Sequence, residues 1–284
     1  MSVEFWYMFP LGIVMTAVGI ASGVGGATFY APLFILGLGL PPPLAIGTGL
    51  VVEAFGFGSG VYAYVRRQLI DYRIGRAMLV ATVPAALVGT LAAHYVQADV
   101  LKIVLGMGLV AVAVSFLRAP DAEAATRLDE LARESSGTAE TCLTTARGEE
   151  ICYTVCNKTE GRLLSGLGAF FMGAASSGLG ELNGYFLLQR CRVPGSVSVA
   201  TTVFVVAVTA LAASIGHVVQ IGQEGLPRLA TMGNLLLFTV PGVVIGAQLG
   251  PALAERVPDR GMRIGLGGLF IVTAALLVYE AGLR

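Results

Sequence analysis

The sequence predicts an all-α integral membrane protein built from two inverted-topology repeats. Three observations carry this expectation: apolar runs long enough to cross a bilayer, matched residues in the two halves, and a charge pattern that reverses between them. Hydrophobic residues make up 55% and charged residues 13% of the 284 residues, and mean hydropathy is +0.78. Soluble domains of average usage carry about twice that charged fraction. A helix needs roughly 20 apolar residues to cross a bilayer. Runs 43–65, 74–93, 100–117, 193–221, 229–254 and 264–281 approach or exceed that length. Two more runs, 10–37 and 163–188, are broken in the middle by glycine. The N-terminal stretch holds Glu4 and lacks the basic residues of a cleavable signal peptide. With a net charge of zero, the chain has no bulk attraction for nucleic acid.

The halves echo each other on either side of the polar segment 118–162. Gly26 and Gly180 lie 154 positions apart, as do Thr48 and Thr202. Pro84 and Gly89 match Pro241 and Gly246 at an offset of 157, the change falling in the longer loop 220–228. Cytoplasmic loops are enriched in Lys and Arg, which places Arg66, Arg67, Arg73 and Arg76 inside. The matching loop of the second half has only Arg228, whereas Arg256, Arg260 and Arg263 follow its next span. The two halves therefore insert in opposite senses. Opposite insertion requires an odd number of crossings per half, so each glycine-broken run should enter, turn and return. Each repeat is then a re-entrant half-helix hairpin plus three transmembrane helices. Under that topology 15 of the 18 basic residues face the cytoplasm.

The expected organisation is membrane repeat 1 over residues 1–118, a small cytoplasmic insert over 119–162, and membrane repeat 2 over 163–284. Both termini lie outside, in a multi-pass protein of the cell inner membrane. Within the insert, 121–134 reads as a short surface helix. The stretch 141–155 reads as a hairpin turning at Arg147-Gly148. That hairpin brings Cys142 and Cys152 onto adjacent strands. Disulfides are rare in the cytoplasm and the spacing with Cys156 and Cys191 fits no zinc pattern, so free thiols are expected.

Irregular backbone at membrane depth is tolerated only inside protein or along a wet cavity. The N-terminus of a half-helix offers unpaired amides and about half a positive charge, so two breaks near the midplane make an anion site. The breaks expected are Ser22–Gly26 and Ser176–Gly180. Substrate contact is accordingly assigned to Gly23, Gly25 and Gly26 in the first, and to Ser177, Gly178, Gly180 and Asn183 in the second. Thr48 and Thr202 are repeat-related hydroxyls suited to an oxyanion, although threonine also bonds its own helix backbone. Glu53 sits inside a span, where an ionisable residue costs roughly 2.5–3.5 kcal/mol on insertion scales and is usually functional. Glu181 stands in the first turn of a half-helix, either as a structural cap or, protonated, as a donor to a bound anion. Glu53 and Glu181 are therefore the candidates for proton coupling. His217 and His94 read as residues near span ends.

Gly23-Val24-Gly25-Gly26-x₅-Pro32-Leu33 followed by Ala45-Ile46-Gly47-Thr48 resembles the signature of the TauE/SafE sulfite exporter family. The second-half echo, Gly178-Leu179-Gly180 and Val199-Ala200-Thr201-Thr202, is similar to that family's internal duplication. The resemblance spans both apolar halves but not 118–162. It implies a secondary transporter, not an enzyme, that exports sulfite, an organosulfonate or a related oxyanion on the proton gradient, without a cofactor or bound metal. Glu181 and Asn183 depart from the glycine or apolar residues usual at those positions. Two other readings stay open: a proton-coupled cation transporter working through Glu53 and Glu181, and a membrane sensor whose active element is the cysteine insert. The expected partners are the small anion and membrane lipid, with homo-oligomer formation left open.

Overall fold

A computed structural model describes residues 5–21, 29–118, 141–153, 158–191, 193–254 and 259–282. These residues are mostly helical, with one two-stranded sheet. In chain order the first half holds α1 (Met8–Ala21), a short α2 (Tyr30–Pro32) that widens into a π-helical turn (Leu33–Gly37), α3 (Pro42–Arg67), α4 (Tyr72–Tyr95) and α5 (Ala98–Arg118). Strands β1 (Thr141–Thr144) and β2 (Glu150–Tyr153) follow. The second half holds α6 (Lys158–Ala175), α7 (Leu179–Gly184) with its own π-helical turn (Tyr185–Arg190), α8 (Gly195–Gln223), α9 (Leu226–Ala254) and α10 (Asp259–Gly282). Both halves thus place a short helix ending in a π-turn ahead of a long apolar helix. Pro42 at the start of α3 and Pro194 just before α8 set those starts, where proline's missing N–H is no loss.

Five described helices are long and apolar enough to cross a membrane: α3, α4, α8, and the apolar stretches of α9 (Leu226–Leu249) and α10 (Ile264–Gly282). The sixth uninterrupted apolar run of the sequence, 100–117, corresponds to α5, which is helical for 21 residues and packs along α10. Outward faces are apolar rather than polar. On α8, Leu211, Ile215 and Val219, spaced four apart on one side, are 55%, 58% and 55% exposed. In water such a stripe would be costly, whereas in hydrocarbon it is matched.

Lipid removes most of the hydrophobic drive between helices, so close backbone approach has to hold the bundle together. Glycine provides it, in an exchanged pattern. A Cβ at Gly89 of α4 would stand 2.1 Å from the Phe170 carbonyl oxygen of α6, and one at Gly173 of α6 would stand 2.0 Å from that of Ala86. On the other side, a Cβ at Gly246 of α9 would stand 2.5 Å from the Ile13 carbonyl oxygen of α1, and one at Gly242 would stand 2.3 Å from that of Phe9. Helix α6 of the second half therefore packs on α4 of the first, and α1 of the first packs on α9 of the second. At the centre, α3 and α8 run antiparallel: Gly47 meets His217, and Gly60 meets Val203.

The insert contains the expected hairpin. Strands β1 and β2 pair antiparallel with Cys142 opposite Cys152, and Gly148 at φ +80° completes the turn. Contrary to the expectation of free thiols, Cys142 and Cys152 form a disulfide, and Cys191 is disulfide-bonded as well. Direct cross-strand opposition is the physical reason for the first bond. The expected surface helix 121–134 lies outside the described residues.

Candidate transport site

The second glycine-broken run folds back on itself. Helix α6 ends at Ala175, Ser176 takes the left-handed conformation at φ +58°, and Gly178 stands at φ +111°. Only glycine adopts the latter without strain. Helix α7 then returns alongside α6. A Cβ at Gly168 would lie 2.9 Å from the Gly178 oxygen, Ser165 donates to Asn183 Oδ1 at 2.6 Å, and Gly161 faces the Phe186 ring. The break thus lies at Ser176–Gly178, two residues earlier than the sequence implied at its far end. Gly180 is already inside α7, with only Val206 among the described residues within reach of an added Cβ.

Several elements converge on this break. His217 of α8 is 1% exposed, and its Nε2 lies 2.8 Å from the Gly173 carbonyl, in the last turn of α6. It is therefore a buried brace, standing near the end of α8 as the sequence suggested. Gly47 leaves the room: a Cβ there would be 2.9 Å from both His217 Cβ and Ile221 Cδ1. Two residues along α3, a Cβ at Gly49 would lie 3.4 Å from the Ala31 amide nitrogen and 3.6 Å from Ser176 Oγ. Gly49 thus lies between the return helix of the first half and the break of the second. Glu53 follows one turn later on the same face of α3.

Buried polar atoms normally have partners, and exceptions need an explanation. Among the described residues, Glu53 Oε2, Thr90 Oγ1, Ser176 Oγ, Asn183 Nδ2 and Thr202 Oγ1 are buried without one. Ser176 Oγ faces Gly49 across the break. Thr90 belongs to the same neighbourhood, since its amide lies 3.0 Å from a Cβ placed at Gly173. Glu181 caps α7: its Oε2 accepts the Gly178 amide at 3.1 Å, which is the structural role weighed for it from sequence. It is also within Coulombic reach of Glu53. Glu53 is buried and Glu181 half-buried, and the two acids singled out from sequence are close enough to interact electrostatically.

The other sequence candidates divide. Thr202 is buried with its hydroxyl unpartnered, but Thr48 donates to Leu44 O at 2.7 Å and so satisfies its own helix. Asn183 is fully buried with its amide nitrogen free. Ser177 is buried and its Oγ faces Gly108 of α5. Gly23, Gly25 and Gly26 lie outside the described residues. Two residues now central, Ser176 and His217, were not chosen as site residues from sequence. Ser176 was visible as part of the Ser-Ser-Gly cluster, whereas His217 gave no signal beyond its position in an apolar run.

The sulfite exporter TauE/SafE family matches residues 8–277, nearly the whole of this helical assembly. The chain belongs to that family. Members of the TauE/SafE family are membrane transporters and not enzymes, and the apolar bundle agrees with a multi-pass protein. Among its relatives, the probable membrane transporter protein YunE of Bacillus subtilis (strain 168) is 22% identical over 284 residues, covering 98% of each chain. The probable membrane transporter protein YjnA of the same organism is 28% identical over 258 residues, covering 87% of this chain and 90% of its own. The probable membrane transporter protein ORF9 of a Sinorhizobium species is 33% identical over 92 residues, covering 32% of this chain and 35% of its own. No solved structure matches the chain.

Proposed function

We propose that this TauE/SafE protein is a proton-coupled secondary transporter of a small sulfur oxyanion, such as sulfite or an organosulfonate. The reading rests above all on the Ser176 hydroxyl, which has no partner among the described residues, is buried at a helix break and is set against Gly49. A buried donor at a break is held ready for an acceptor-rich ligand, and the adjoining amides and helix dipole favour negative charge. Thr202 and Asn183 supply further donors. Glu53 and Glu181 carry the proton. Two carboxylates within electrostatic reach of one another oppose an incoming anion unless a proton arrives with it, because like charges away from bulk water repel strongly. The pairing of α6 with α4 and of α1 with α9 supports two interlocked inverted repeats, with α6–α7 re-entering from one face.

Flux into proteoliposomes tests this reading across sulfite, an alkylsulfonate, sulfate and a divalent cation. Saturable sulfite or sulfonate flux driven by an imposed pH gradient is expected. Flux of the cation alone would replace it with the cation reading that two neighbouring acids also allow. In the same assay Thr202→Val should lower the apparent affinity about tenfold, the order of one lost charge-assisted hydrogen bond. Thr48→Val should leave affinity unchanged, because its hydroxyl serves only the helix backbone.

Arginine placement supports an insert on the cytoplasmic side. The hairpin turn is tied to the end of α3, where Ala146 donates its amide to Arg67 O at 3.1 Å, so it shares a side with Arg66 and Arg67. A single cysteine at Arg147, in a chain otherwise free of cysteine, should react with a membrane-impermeant maleimide only after cells are opened. Labelling in intact cells would reverse the orientation.

A further inference from the structure

A buried phenol fastens the strand end of the insert hairpin to the bundle, as the Ala146–Arg67 backbone bond fastens its turn. Tyr153, the last residue of β2, is 2% exposed and donates to Asp71 Oδ2 at 2.7 Å. Asp71 is itself 4% exposed and caps α4, its Oδ1 accepting the amides of Arg73 at 2.8 Å and Ile74 at 3.0 Å. Its own amide donates to Thr201 Oγ1 on α8 at 3.0 Å. One chain of hydrogen bonds therefore runs from the insert, through the start of α4, to the residue beside Thr202. Burial and the bond to Asp71 hold the Tyr153 phenol above its ordinary range, so it stays a donor.

Cys152 precedes Tyr153 directly, and its disulfide partner Cys142 is exposed. Each strand is only four residues long, and an isolated two-stranded hairpin is marginal without further support. The disulfide closes it over a separation of 10 residues. This bond also lies on the arginine-rich side. Cytoplasmic disulfides, where they occur, are mostly transient and reactive.

We propose that the Cys142–Cys152 disulfide is a reaction site for sulfur nucleophiles, the sulfite of the proposed transport reaction included, and that its cleavage releases the Tyr153 latch. The step balances without an added oxidant. The sulfur lone pair of sulfite attacks the exposed Cys142 Sγ and forms a new sulfur–sulfur bond. The Cys142–Cys152 bond breaks, and its electron pair leaves on Cys152 as thiolate. The product is an S-sulfonate on one strand and a thiolate, later protonated by water, on the other. A dithiol would open the same bond by exchange, ending as its own disulfide with both cysteines reduced. Freed of its cross-link and carrying a new anion beside Glu149 and Glu150, the hairpin loses its hold and Tyr153 withdraws from Asp71. Substrate accumulating on the insert side would thereby unlock the transporter that removes it.

The inference rests on the sulfite reading only for the identity of the nucleophile. The test uses the full-length oxidised protein in proteoliposomes, exposed on the insert side to sulfite, to sulfate (which lacks the sulfur lone pair) or to dithiothreitol. Peptide masses should show one added SO₃ group on Cys142 or Cys152 with sulfite and none with sulfate. Sulfite and dithiothreitol should both make the hairpin protease-sensitive and raise tracer flux severalfold. Tyr153→Phe and the double variant Cys142→Ser/Cys152→Ser should show the raised flux without either reagent. An unmodified hairpin under sulfite would overturn the reaction site. Unchanged flux and protection after dithiothreitol, and in both variants, would overturn the latch. Adduct formation without sulfite transport would leave this inference standing and defeat the substrate reading instead.

Discussion

Glu53→Gln is expected to abolish flux driven by a pH gradient, with a loss of about a hundredfold, the lower end of what a positioned proton-transfer group contributes. Gln keeps the shape and the donors of the protonated acid but cannot take up or release a proton. Counterflow, which exchanges labelled for unlabelled substrate and needs no net proton movement, should persist in the variant. Glu181→Gln should behave differently in degree, because that carboxylate also caps α7 through the Gly178 amide. A Gln side-chain oxygen still accepts that bond, so the fold should lose at most about 1 kcal/mol, while coupling falls. Glu53 Oε2 has no partner among the described residues to lose, and its variant should melt close to wild type. Proton-driven flux surviving in Glu53→Gln would return the residue to a packing role. Intact coupling in Glu181→Gln alone would leave that residue as a cap.

Both acids were visible in the sequence because charge is so scarce there: an isolated Glu in an apolar run stands out. Their mutual proximity was not visible. It depends on how the break of the second half meets the face of α3 that carries Gly49 and Glu53, a contact between residues more than a hundred positions apart. The break itself was readable from Ser-Ser-Gly-x-Gly, though its limits were displaced because Gly180 looks like a turn residue and is in fact helical. Thr48 and Thr202 look equivalent in sequence, yet only one satisfies its own helix. Composition cannot separate them, since a hydroxyl's partner is chosen by its neighbours. The hairpin was legible from alternation and Arg147-Gly148. Its disulfide was rejected on compartment grounds alone, which shows how a general prior about redox environment can override a correct reading of register. Asp71, directly ahead of α4, has the helix-start pattern, but nothing in the sequence announced that Tyr153 would bind it.

Gly173→Ala and Gly89→Ala should be among the most damaging single-methyl changes available to this protein. Each new Cβ would stand about as far from a backbone carbonyl oxygen, 2.0 Å from Ala86 and 2.1 Å from Phe170, as a hydrogen stands from its acceptor. No rotamer relieves this, because both partners are backbone. Helices α4 and α6 must therefore separate along their whole contact, and in lipid that contact has little hydrophobic drive to restore it. Overpacking of a tight core typically costs 1–3 kcal/mol and occasionally more, and these sites belong at the upper end, near about 3 kcal/mol. The matched crossing of α1 with α9 should respond in the same way at Gly242 and Gly246, whose added Cβ atoms would stand 2.3 Å from Phe9 O and 2.5 Å from Ile13 O. Helix propensity alone predicts the opposite, since alanine is favoured over glycine inside a helix by about 1 kcal/mol. Gly233 and Gly265 supply the control, being helical with nothing among the described residues within 4 Å of an added Cβ. Their alanine variants should melt at or slightly above wild type in detergent, whereas the four crossing variants should lose monodisperse protein. Crossing variants as stable as the controls would mean that these helices do not pack through glycine, and the exchanged arrangement of the two halves would lose its main physical support.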